Sequence, residues 1–127
     1  MQIPVHVHWR MLALALVVCG PLSASSVGTV ELDAARKSVV EGEKAFEEKR
    51  FADSAHAYAA ATDTGIQSPD IAYSAAEAYS RAGDPKSAFK YLSMAIDLGC
   101  HGDLSGDVDL QPLHVQPFWT ELVQRLP

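Results

Sequence analysis

In the C-terminal quarter, Cys100, Asp103, Asp107, Asp109 and His114 carry side chains from which reactive or metal-binding sites are commonly built. Within them the stretch DVDLQPLHVQPFW, Asp107 to Trp119, sets two carboxylates around one valine and follows them with an imidazole. Carboxylates and imidazole are donors for divalent cations, and Cys100 adds a potential nucleophile. The spacing argues against each. A calcium loop closes its alternating acids with a glutamate at the twelfth position, which is His114 counted from Asp103 and Phe118 counted from Asp107. Cys100 and His101 are adjacent, and no second close pair exists to complete a tetrahedral set. Gly102 and Gly106 lack the lysine and the strand that frame a phosphate loop. The aspartates ahead of Leu104 and Leu110 are better read as caps of short turns. A metal-dependent or thiol enzyme using Cys100, Asp107, Asp109 and His114 is therefore the competing expectation, and no cofactor or metal is expected.

The elements that must position these residues are helical. Leu32, Ala35, Val39, Gly42 and Phe46 recur at intervals of three and four, as do Phe51, Ser54, Ala55, Tyr58, Ala61 and Thr62. The same spacing runs through Ile71, Ala75, Ala76 and Tyr79, and through Ala88, Leu92, Ala95 and Ile96. Ser68-Pro69-Asp70 places a hydroxyl cap, a proline whose missing N–H costs nothing, and an acid at a helix start; Asp84-Pro85 repeats the device. Gly65, Gly83 and Gly99 each follow a helical run, where a last turn closes. Four helices joined by short turns result, without a strand signal of comparable length.

Shifting the chain by 34 residues brings Glu43 onto Glu77, Ala61 onto Ala95, Asp63 onto Asp97 and Gly65 onto Gly99. Gly42 meets Ala76, and Ser54 meets Ala88, small on small. Such a period, with two helices per unit, is that of a helical repeat in which small residues let the helices of one hairpin cross closely. The segment IAYSAAEAYSRAGDPKSAFKYLSMAIDLG, Ile71 to Gly99, resembles a tetratricopeptide repeat, with its small residue at Ala76, aromatic at Tyr79, turn glycine at Gly83 and alanines at Ala88 and Ala95. The first repeat, from about 35 to 68, departs from that pattern with Glu41 at a large apolar position and Lys49 at the turn glycine. Repeats and tail together resemble the bacterial tetratricopeptide end-of-group domain. The expected fold is all-α: hairpin 1 over about 30–64, hairpin 2 over about 69–98, and a capping tail over about 100–127 with a short final helix. In that tail Leu110 and Leu113 pack on the second hairpin, and Phe118, Trp119, Leu122 and Val123 close the core.

The N-terminal stretch speaks for export. MLALALVVCG, from Met11, is about as long as a signal-peptide apolar region and short of a membrane span; Pro21 and the small residues of LSASS follow. The expectation is a signal peptide over 1–25 and a helical domain over 26–127, periplasmic or secreted, with lipidation at Cys19 as a minor alternative. Removing 1–25 leaves 9 basic and 16 acidic residues, a net charge of −7. An acidic chain without a basic cluster is a poor candidate for nucleic acid or anionic membrane. With Cys19 removed, Cys100 has no partner for an intramolecular disulfide.

The leader, the 34-residue repeat and the lack of a catalytic constellation point to an exported, non-enzymatic adaptor, and the resemblance implies that the first helix of each hairpin lines a groove. Carried onto this chain, the partner-binding face is Arg36, Val39, Glu43, Phe46 and Glu47, then Asp70, Tyr73, Glu77, Ser80 and Arg81. Phe46 and Tyr73 suit an apolar anchor, the arginines a carboxylate, and the glutamates a basic or amide-rich segment. Its partner is expected to be a protein or peptide, with self-association through an uncovered repeat flank as a structural alternative.

Overall fold

The structure, a computed structural model, describes residues 28–127. The expected signal peptide and Cys19 lie outside the described residues. The chain divides into two units, Met1–Asp33 and Ala34–Pro127. Of the first, residues 28–33 are described; they are helical and exposed. All that follows concerns the second.

The second unit is all-α. The helical run over 28–47 contributes α1 (34–47) to it. Then come α2 (Phe51–Asp63), α3 (Pro69–Ala82), α4 (Pro85–Asp97), a single 3-10 turn (Gln111–Leu113) and the short α5 (Trp119–Gln124). Consecutive helices pack on one another. Where α1 crosses α2, the Ser54 hydroxyl donates to the Gly42 carbonyl at 2.8 Å, and a Cβ on Gly42 would stand 3.1 Å from the Tyr58 ring. Only a residue without a side chain allows that approach unforced. The interior is small on small: Ala55, Ala61, Ala72, Ala75, Ala76, Ala78, Ala88 and Ala95 are each fully buried.

The boundaries follow from local chemistry. Ser68 Oγ accepts from the Ile71 N–H, and Asp84 Oδ1 accepts from the Ser87 N–H at 3.1 Å, each with proline in the first turn behind it. The helix ends recur at an offset of 34. The α1 turn is closed by Lys49 N–H to Phe46 O and Arg50 N–H to Ala45 O; the α3 turn is closed by Gly83 N–H to Ser80 O and Asp84 N–H to Tyr79 O. Both turns need a left-handed residue, Gly83 at φ 81° and Lys49 at φ 59°, and Lys49 adopts it with a side chain attached.

The tail closes the assembly. Leu104, Leu110, Leu113 and Leu122 are buried to 1% exposure or less and join the core with Leu92 and Tyr91. Phe118 packs on Phe89 with ring centroids 4.6 Å apart, and Arg125 bonds Asp97 and Ser93 of α4. The last helix starts at Trp119, with Phe118 at its cap. Val123 and Trp119 are half-buried; the Trp119 ring lies 4.2 Å from that of His114. Among the described residues no helix is long and apolar enough to cross a membrane.

Candidate functional site

Helical periodicity puts Tyr73, Glu77 and Arg81, four residues apart, in one row on α3. The tail meets that row with its own alternation. Asp107 and Asp109 point to α3, while Val108 between them is 64% exposed. Leu104 on one side and Leu110 on the other are buried, and they hold the loop against the helix.

Tyr73 Oη donates to Asp107 Oδ2 at 2.5 Å. Arg81 Nη1 donates to Asp109 Oδ1 at 2.8 Å, and the Asp109 N–H donates to Asp107 Oδ1 at 2.8 Å. Glu77 lies between the two contacts, beside Asp107 and Asp109. One carboxylate oxygen each from Glu77, Asp107 and Asp109 lies within 4.8 Å of the others. The Arg81 guanidinium sits 4.6 Å from the centre of the Phe51 ring, which meets Phe46 edge-on at 5.2 Å.

This crowding sets the charge states. Burial, the hydrogen bond to Asp107 and the negative charges of Asp107 and Asp109 push Glu77 up to about 8. Burial raises Asp107 too, but hydrogen bonds from Tyr73, Glu77 and the N–H groups of Asp109 and Leu110 outweigh it and hold its carboxyl below the usual range. Burial and the bond to Asp107 push the Tyr73 phenol up. On α2, Tyr58 is raised by burial and by the charges of Glu43, Glu77 and Glu47, so the acids of α1 and α3 converge on its ring.

The expected groove residues separate into groups. Tyr73, Glu77 and Arg81 come together, bound to the tail. Phe46 joins them through Phe51, while Glu43 and Glu47 are exposed on α1 near Tyr58. Arg36 is exposed, and Val39 is half-buried against the core. Asp70 is exposed at the start of α3, in a cleft of about 370 Å³ with Pro69, Tyr73, Cys100 and His101. Ser80 departs from the outward face expected of it: it is 2% exposed, because it lies one turn beyond Ala76 in the buried stripe of α3. Its hydroxyl has no hydrogen-bond partner among the described residues.

The residues of the enzyme reading are dispersed. The Cys100 thiol is free and half-buried beside Tyr73 and Gly102. His114 lies against Trp119 with Nε2 buried and without a partner among the described residues. Neither belongs to the carboxylate group, which instead takes in Glu77. Three carboxylates could contribute to a site for a hard cation, but calcium takes six to eight oxygens, and here Tyr73 and Arg81 already engage the two aspartates. The meeting of Glu77 with Asp107 was the feature not read from sequence; its only trace is a row at i, i+4, i+8 and a pair at i, i+2.

A scan against family models finds no match to the chain, and searches of the curated proteins and of the solved structures find none either.

Proposed function

We propose that the chain is an exported, non-enzymatic adaptor of the tetratricopeptide end-of-group type, which binds a protein or peptide partner in the cell envelope through the face of α1 and α3. One observation carries the reading: the α3 row of Tyr73, Glu77 and Arg81 already holds a segment of polypeptide, the turn formed by the chain's own Asp107–Asp109. The row presents an aromatic hydroxyl, a carboxyl and a guanidinium at one-turn intervals, and its two ends each bond a carboxylate of that turn. The recurrence of helix-end hydrogen bonds at an offset of 34 supports the repeat reading, as does the burial of Ala61 with Ala95 and of Ser54 with Ala88.

Beside the occupied row, Phe46, Glu43 and Glu47 of α1 offer an aromatic edge flanked by acids, suited to a partner segment carrying a basic and an apolar side chain. The test is affinity capture from an envelope extract with the wild type and a Glu43→Lys, Glu47→Lys pair. Both positions are exposed, so the pair keeps the fold. Loss of a specific partner with the pair is the expected result; equal recovery of every captured protein counts against the face.

A further inference from the structure

We propose that Tyr73, Glu77 and Arg81 form with Asp107 and Asp109 a proton-operated clasp, which closes the α3 row under the 105–109 loop and opens it when the shared proton is lost. The inference rests on the reading of the α3 face as a binding surface, whose regulation it describes.

The geometry crowds the carboxyl groups: one oxygen each of Glu77, Asp107 and Asp109 lies within 4.8 Å of the others. Ionised carboxylates only accept hydrogen bonds, so a proton on one of the group turns a repulsive contact into one that can be hydrogen-bonded. Their neighbourhood holds three carboxyl groups against the single guanidinium of Arg81, which is engaged by Asp109. On α3 the charged and titratable neighbours of Glu77 are Tyr73 and Arg81; on the tail they are Asp107 and Asp109. From α2 comes Tyr58, and behind it stand Glu43 and Glu47 of α1. The charges of the tail that act on Glu77 are those of Asp107 and Asp109, and Glu43 and Glu47 of α1 add negative charge beside Tyr58. Loss of the proton therefore turns an attractive contact into repulsion between adjacent carboxylates. Glu77, pushed up to about 8, is the group that holds the proton in the neutral range, while Asp107 is held ionised.

The loop is built to respond locally. Leu104 and Leu110 are buried to 1% or less and stay anchored, while Ser105, Gly106 and Val108 are exposed. Between the anchors, the ties to α3 are polar. Opening therefore frees Tyr73, Glu77 and Arg81 without dissolving the core.

The test uses the protein alone. Amide hydrogen exchange is followed by NMR between pH 6 and 9, each loop amide being referenced to α4 amides to remove the intrinsic pH effect. In the wild type, protection of the Gly106 and Asp109 amides is expected to fall at least about tenfold relative to α4, the change that one unit of pKa coupling carries. Glu77→Gln, whose amide donates to Asp107 at every pH, should hold the loop closed throughout. A carbon-detected titration of the Glu77 carboxyl in the wild type gives a second readout that needs no variant. Equal pH response of wild type and Glu77→Gln, or a Glu77 midpoint in the ordinary glutamate range, overturns the clasp. Neither outcome bears on partner capture by Glu43 and Glu47, so failure of the clasp and failure of the binding face are distinguishable.

Discussion

Tyr73 of α3 donates its phenolic proton to Asp107 of the tail at 2.5 Å, across 34 positions of sequence. That bond places the tail over the α3 row of Tyr73, Glu77 and Arg81, the face proposed to bind a partner. Because its acceptor is ionised and half-buried, the bond is of the stronger class. Tyr73→Phe removes the hydroxyl and keeps the ring. The expected loss is about 1.5–3 kcal/mol in denaturant unfolding, with an unchanged slope because the same surface is exposed on unfolding.

The same cluster makes stability depend on pH in a defined direction. Glu77 is raised in the folded state to about 8 from an ordinary 4.5, so between those values the folded chain binds more protons than the unfolded one. Its contribution is complete below about 4.5 and is lost as pH rises through about 8. Asp107 acts oppositely: it is lowered in the folded state, so its contribution is present above its ordinary 3.8 and is lost as pH falls through its folded value. Maximum stability is thus expected on the acid side of neutrality, with a decline toward pH 9. Thermal melting across that range checks it, and Glu77→Gln should flatten the alkaline decline.

Packing and charge rank differently in the tail. Leu110→Ala empties a fully buried site and is expected to cost about 2–5 kcal/mol. Trp119, half-buried against His114, should cost less, about 2 kcal/mol for Trp119→Ala. Asp109→Asn breaks an ion pair whose side chains are 37% and 27% exposed, for less than about 1 kcal/mol. Chemical denaturation of the three variants gives the order. A tail organised around a metal would place Asp109→Asn first.

The helices, their caps and their burial were legible because each depends on residues within one turn. Ser68 and Asp84 cap as their types dictate, and Ala76, Ala88 and Ala95 lie where close helix crossing needs them. Leu110 and Leu113 were legible as core for the same reason that any leucine between turns is. Ser80 misled because its hydroxyl argued for solvent while its position, four after Ala76, argued for the interior, and the period prevailed. The clasp was not legible at all. It joins Tyr73 to Asp107 and Arg81 to Asp109 over 34 and 28 positions, and only the fold decides which side of the tail faces α3.

Lys49 marks where the offset of 34 at the helix ends is carried by a residue other than glycine. It closes the α1 turn in the left-handed region at φ 59°, with its N–H bonded to Phe46 O at 2.9 Å, while the equivalent place 34 residues on is taken by Gly83. A side chain in that region costs about 1–2 kcal/mol relative to the right-handed one. Glycine removes the strain but gains freedom in the unfolded chain, which returns about 0.5–1 kcal/mol of it. Lys49 is exposed, so little packing is lost with its side chain. Lys49→Gly is therefore expected to stabilise the protein by about 0.5–1 kcal/mol, read as a rise in melting temperature. Lys49→Ala keeps the strained Cβ and should give no gain. If alanine stabilises as much as glycine, the lysine charge, and not the backbone, is what burdens this turn.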